Sequence, residues 1–260
     1  RSQYESCSMM LLDIGNSAVK WALQERGEMT HRGRFIHQAD DFPGLADAAW
    51  SALPKPAGLA VANVAGIGME RSVVAWAEAH WAVTPQFVRV TGQVAGVTNA
   101  YSDPGTLGID RWTAMIAAYH EYAGPVCVID CGTAITIDVV DVDGQHRGGL
   151  IAPGIGMMKQ SLLNETAEIR TASVTESQPV TLLARGTREA VNKGVIYMGS
   201  AMIDRVLADI VAEYGEQTAL VITGGDADSV LPLTGWQPRN DPDLVLKGIA
   251  ILAGESACVT

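Results

Sequence analysis

Two short stretches of this sequence could hold a nucleotide triphosphate. In Met10-Leu11-Leu12-Asp13-Ile14-Gly15-Asn16-Ser17 an apolar run ends on a carboxylate, then a glycine, then amide and hydroxyl residues. Val126-Cys127-Val128-Ile129-Asp130-Cys131-Gly132-Thr133-Ala134 repeats the pattern about half the chain later. Phosphate oxygens need backbone N–H groups and hydroxyls around them, and the accompanying cation needs a carboxylate. Gly15 and Gly132 let the backbone come close, Asn16, Ser17 and Thr133 supply donors, and Asp13 and Asp130 can reach an ion or an ordered water. One such turn alone reads as an ordinary hairpin connection. Two matched turns at half-chain spacing point to phosphate. Lys20, just beyond the first turn, could add a phosphate contact or point to solvent.

A third stretch, Gly108-Ile109-Asp110-Arg111, could activate an acceptor. An alcohol is a poor nucleophile, and a nearby carboxylate can take its proton as it attacks phosphorus. Asp110 opens a helical pattern, where the helix dipole favours a negative charge. Arg111 offers a planar fork suited to a carboxylate. The plain alternative is an acidic helix start beside a solvated arginine. Asp138 could share in cation binding or be a polar residue in its strand. The five histidines share no ligand spacing, and the tryptophans read as packing residues.

The elements that must position these groups follow from periodicity. After each turn the chain returns to strand residues, Ala18 to Leu23 and Ile135 to Val140, so each half opens with a β-hairpin. Two such halves facing each other would bring both turns to one cleft. Short strands are expected over 59–64 and 87–90. Trp112, Met115, Ile116, Tyr119 and Tyr122 lie on one helical face, and Gly124-Pro125 breaks the chain after them. That break divides the chain into domains 9–123 and 124–260. A helix follows Pro153-Gly154, marked by Ile155, Met158 and Leu162. A longer stripe runs through Val191, Val195, Met198, Met202, Val206 and Ile210, with Gly194 and Gly199 permitting close helix approach. Leu220-Val221-Ile222 is a strand that runs into Thr223-Gly224-Gly225-Asp226, a segment suited to cover a nucleotide base or to make a plain turn.

The fold class is therefore α/β. The net charge of −11, with no basic run, argues against nucleic acid or anionic membrane as a partner. Four cysteines, Cys7, Cys127, Cys131 and Cys258, are too few for a disulfide framework, and Cys127 and Cys131 read as buried free thiols. No segment is long and apolar enough to span a membrane, and no secretory signal is seen, so a cytoplasmic protein is expected. Residues 1–8 precede the first strand and read as an added leader.

Taken in order, these motifs resemble the type III pantothenate kinases along nearly the whole chain. The resemblance rests on Asp13 to Ser17, on Tyr101-x-x-Pro104 with Leu107 to Trp112, on Asp130 to Asp138, and on Gly148-Gly149-Leu150-Ile151-Ala152-Pro153-Gly154. It implies two ribonuclease-H-like domains of the actin-like ATPase kind with an interdomain active-site cleft. It implies ATP-dependent phosphorylation of pantothenate to 4′-phosphopantothenate, the first step of coenzyme A biosynthesis. Asp110 would be the general base. Tyr101, Gly108, Ile109, Asp110 and Arg111 would hold pantothenate, joined by Thr187 from the other subunit of a homodimer. Locally, Thr187 also reads as a helix N-cap. ATP would lie against Asp13, Ile14, Gly15, Asn16, Ser17, Ala18, Val19, Lys20, Gly132 and Thr133. Asp130 would hold a monovalent cation, K+ or NH4+, and Asp13 would reach Mg2+ through water. The rival readings are a non-catalytic regulatory relative of the Bvg accessory factor, and a kinase for another small hydroxy acid or a sugar.

Overall fold

The computed structural model describes residues 8–37, 41–122, 124–165 and 182–257. Cys7, Cys258 and residues 1–7 lie outside the described residues, while Ser8, expected to precede the first strand, begins it. Contacts divide the chain into two units, 1–121 with 243–260, and 122–242.

The first unit is built on β1 (Ser8–Ile14), β2 (Ala18–Glu25), β3 (Glu28–Ile36), β4 (Gly58–Asn63) and β5 (Gln86–Phe87), in the order β3-β2-β1-β4-β5. β2 runs antiparallel to β1 and β3, while β1, β4 and β5 are parallel. Alternation assigns the two faces. Leu12 and Ile14 of β1 and Val19 and Trp21 of β2 enter one core with α1 (Phe42–Trp50) and α2 (Ile67–Trp81). That core is aromatic: Trp50 meets Trp21, Trp76 and Trp81 with ring centroids 5.1–6.3 Å apart. The tryptophans pack, as their scatter through the sequence suggests. The strand expected over 87–90 is shorter, since after Phe87 only the Val88 N–H continues the ladder, to the Val61 carbonyl.

The second unit repeats the plan. β8 (Val126–Cys131), β9 (Ala134–Val140), β10 (His146–Pro153), β11 (Ala219–Thr223) and β12 (Arg239–Asn240) follow the order β10-β9-β8-β11-β12. Every pairing direction matches its counterpart in the first unit. One face packs on α4 (Ile155–Glu165) and on the 28-residue α5 (Thr187–Tyr214). Gly199 of α5 lies under Ile135 and Ile155, where an added Cβ would sit 3.0–3.2 Å from their methyl groups. Gly194 faces open space, so only one of the two glycines serves close packing.

Two further elements complete the first unit. A tight hairpin of β6 (Gln93–Val94) and β7 (Val97–Thr98) turns through Ala95 and Gly96, both with positive φ, the geometry that suits strand twist. Then α3 (Ile109–Glu121) packs against a terminal helix, α6 (Leu244–Ala257), so closely that Gly248 has no room for a side chain beside the Thr113 carbonyl. The sequence suggested a second domain running to residue 260. Its last helix instead returns to the first unit, because Leu244, Ile249 and Leu252 bury an apolar face there.

Candidate active site

The first turn forms because β1 and β2 must pair with Asp13 opposite Lys20, leaving Gly15 to Ser17 as the connection. The Gly15 N–H donates to the Ala18 carbonyl at 3.0 Å, while Asn16 and Ser17 stay exposed at its tip. Cross-strand pairing puts Asp13, Lys20 and Arg34 in one row on the face away from the tryptophan core. Ile14 and Val19 are fully buried in that core, so they can offer a ligand only main-chain groups. A residue without expected ligand spacing holds the turn from behind. His37 Nε2 donates to the Gly15 carbonyl at 2.8 Å, and the His37 N–H donates to the Ser17 carbonyl at 3.2 Å.

The second turn is closed in the same way and enclosed by glycines. The Gly132 N–H donates to the Ala134 carbonyl at 3.0 Å, and Thr133 is exposed. Gly154 follows β10 and donates its N–H to the Thr133 carbonyl at 3.0 Å; any Cβ there would collide with the Gly132 and Thr133 carbonyls. Gly224 follows β11 with φ +98°, and a Cβ there would lie 2.5 Å from Asp130 Oδ1 and into the Cys131 carbonyl. The Asp226 N–H donates to the Cys131 carbonyl at 2.9 Å. So the Thr223 to Asp226 segment lies directly against the second turn, beside Asp130.

These groups bear on cation binding. The donors gathered beside Gly224 are a carboxylate and a carbonyl, oxygen ligands that suit a hard cation such as Mg2+ or K+. Burial, reinforced by the charges of Asp130 and Asp226, pushes the Cys131 thiol up to about 12. Burial and the nearby Asp138 charge raise Cys127 further. Among the described residues, no three His, Cys, Asp or Glu side chains cluster as a metal site. Asp138 is fully buried against His146 Nε2 at 3.0 Å, which ties its carboxylate to the interior of the second unit.

The substrate segment is built at the start of α3. The Asn99 side chain accepts from the Tyr101 N–H at 2.9 Å, and Asp103 caps the turn at Pro104–Thr106 through the Gly105 N–H at 3.0 Å. The Gly108 carbonyl accepts the first helical bond, from the Trp112 N–H at 3.0 Å. The Asp110 carboxylate folds back over this end, accepting from the Arg111 N–H at 2.8 Å. A Cβ at 108 would stand 2.5 Å from Asp110 Oδ1, so a side chain there would push the carboxylate out of this position. Arg111, buried to 6% exposure, donates Nη1–H to the Tyr101 hydroxyl at 3.1 Å. Ile109 is buried and packs. The structure thus brings Tyr101, Gly108, Asp110 and Arg111 together. Thr187 is the first residue of α5, behind an extended Gly186 that takes the cap position, so Thr187 is exposed and not the N-cap.

Each unit carries a phosphate-type turn and the first also carries a carboxylate at a helix start, groups of the kind that phosphoryl transfer to a hydroxyl uses. The comparisons agree. Residues 9–209 match the model of the type III pantothenate kinase family. A type III pantothenate kinase of Nitrosococcus oceani is 39% identical over 256 residues, covering 96% of each chain. One from Burkholderia cenocepacia is 35% identical over 261 residues, covering 96% of this chain and 97% of the relative. The fold itself recurs in a Baf-family protein of Campylobacter jejuni described as a transcriptional activator (TM-score 0.56, 20% identity, 96% and 99% coverage). It recurs also in component A of the (R)-2-hydroxyglutaryl-CoA dehydratase of Acidaminococcus fermentans (TM-score 0.54, 14% identity, 98% and 100% coverage). By sequence over nearly its whole length, this chain belongs to the type III pantothenate kinase family.

Proposed function

We propose that this chain transfers the γ-phosphoryl group of ATP to the hydroxyl of pantothenate, forming 4′-phosphopantothenate in the first step of coenzyme A biosynthesis. The observation that carries the reading is the start of α3, where Asp110 is folded over Gly108 and Arg111 is held by Tyr101. Family membership supplies the substrate class.

In this reading the pantothenate carboxylate lies on the Arg111 guanidinium, and Tyr101 keeps that fork in plane. Asp110 accepts the hydroxyl proton as the new O–P bond forms and the bond from the γ-phosphorus to ADP breaks. The turns at Gly15 and Gly132 present N–H and hydroxyl donors to the phosphates, with Asn16, Ser17, Thr133 and the main chain of Ile14, Ala18 and Val19 at the edge. Lys20 adds a positive charge beside Asp13. Asp13 would hold Mg2+ through water and Asp130 a K+ or NH4+ ion, each offsetting phosphate charge that builds up on transfer.

A homodimer completes the proposal. Exposed large apolar side chains stand on the second unit, Ile151 of β10, Met157 of α4, and Tyr197 and Met198 of α5. Such side chains favour burial against a second copy, and Thr187, exposed at the start of α5, would reach the substrate of that copy. Two buried thiols suit the reducing cytoplasm. The test is turnover of purified protein with pantothenate, ATP and Mg2+ in ammonium, potassium or sodium, followed by ADP release and product mass. Pantothenate-dependent ADP release supports the reading. A folded protein with no turnover under any ion refutes it and leaves the regulatory alternative.

A further inference from the structure

The two units share a plan, so the same station can be compared in each. In both, the residue after the third strand donates its N–H to the last carbonyl of the turn: His37 to Ser17 at 3.2 Å, and Gly154 to Thr133 at 3.0 Å. In the second unit the chain passes so near the turn that a Cβ at 154 would strike the Gly132 carbonyl. In the first unit the equivalent carbonyl, that of Gly15, is met by the His37 imidazole at 2.8 Å. A side chain thus does in one turn what backbone proximity does in the other.

The chemistry makes this a specific arrangement. A carbonyl only accepts, so His37 Nε2 carries the hydrogen. The ring is buried to 7% exposure, and its Nδ1 is buried with no hydrogen-bond partner among the described residues. An unsatisfied buried nitrogen is a cost that an apolar residue would avoid. The bond to Gly15 is what the imidazole gains in exchange.

We propose that His37 is a positioning residue for the nucleotide: by fixing the Gly15 carbonyl from behind, it keeps the turn's N–H groups aimed at the ATP phosphates. This rests on the reading that the first turn binds ATP. The first readout is ADP binding by calorimetry in the presence of Mg2+, and the second is steady-state turnover with ATP and pantothenate varied separately. His37→Phe, which keeps the ring and loses the donor, should weaken ADP binding and raise the KM for ATP by about fivefold or more, the worth of one neutral hydrogen bond. The KM for pantothenate should stay within twofold. His37→Gln, whose amide can donate to the same carbonyl, should restore most of the nucleotide affinity. If H37F does not fold, H37A is read in its place against H37Q. Unchanged ADP affinity without the donor overturns the proposal, as does equal weakening of ATP and pantothenate, or an H37Q no better than H37F. Wild-type protein that binds ADP but turns over no pantothenate would sink the kinase reading alone. Wild-type protein that binds no ADP would sink both.

Discussion

A carboxylate can take a proton from an attacking alcohol only while it is held within reach and kept ionised. The Arg111 N–H holds the Asp110 carboxylate over Gly108 at the start of α3, where we propose that it serves as the base. Replacing it with asparagine keeps the shape and removes the base, so Asp110→Asn should lower kcat by about a hundredfold or more while the thermal melt stays near wild type. Near-normal turnover would take Asp110 out of the mechanism. The duty proposed for Asp130, which stands beside the Gly224 and Cys131 main chain, is different: to hold the monovalent cation. Asp130→Asn should bring the ratio of activity in ammonium or potassium to that in sodium close to one. A ratio that survives would put the cation elsewhere. Asp110, Asp130 and the turn residues were legible in the sequence, because each stands in a short motif whose chemistry is local. His37 was not, nor was the bond from the Asp226 N–H to the Cys131 carbonyl, because those partners are brought near only by strand pairing.

At the scale of elements, glycines decide how closely strands and helices meet. Gly199 and Gly194 lie on the same helix, five residues apart, yet only Gly199 is pressed against the sheet. Alanine at 199 should leave the protein less stable than alanine at 194 does, because its Cβ would sit 3.0–3.2 Å from the Ile155 and Ile135 methyl ends, which would have to give way. Alanine at 194 should be neutral or stabilising by about 0.5–1 kcal/mol, since only the glycine entropy cost is relieved. Melting of the two variants under one condition checks the pair; loss at 194 equal to that at 199 would mean that its face is covered too. The sequence stripe on this helix was correct in period and partly wrong in phase. Val195 is buried, but Met198 is exposed at 56%, while Gly199 is buried and Ile203 and Leu207 are the deepest apolar side chains. Periodicity locates a helix well, but a long helix of low amphipathicity does not announce which side the sheet will take.

For the molecule as a whole, the last helix is the informative part. It follows the second unit in sequence and packs with the first, against α3, which carries Asp110 and Arg111. A chain ending at residue 242 should therefore lose the first unit's stability, although the deletion lies at the opposite end of the sequence; protease resistance of residues 8–121 equal to full length would refute this. Alkaline pH tests the interior of the second unit. Folded Cys131 titrates near 12 against an ordinary 9.0, chiefly through burial. Below pH 9 the thiol is neutral in both states and its contribution is complete. As pH climbs from about 9 towards 12 the unfolded chain ionises first, so stability falls. Melting temperature should drop across that window, and less steeply in Cys131→Ala. A wild-type profile as flat as the variant's would remove the effect.

By itself the sequence determined the α/β class, the duplicated hairpins, both phosphate-type turns and the Gly108 to Arg111 segment. Strand alternation, turn residues and helix starts are local properties, written in neighbouring residues. Tertiary structure alone decided that Gly154, Gly224 and Asp226 close on the second turn, that His37 holds the first, that Asp138 is tied to His146, and that the terminal helix belongs with the first unit. Those facts depend on which strands pair and which apolar faces find each other across long stretches of chain, and no window of sequence contains both partners.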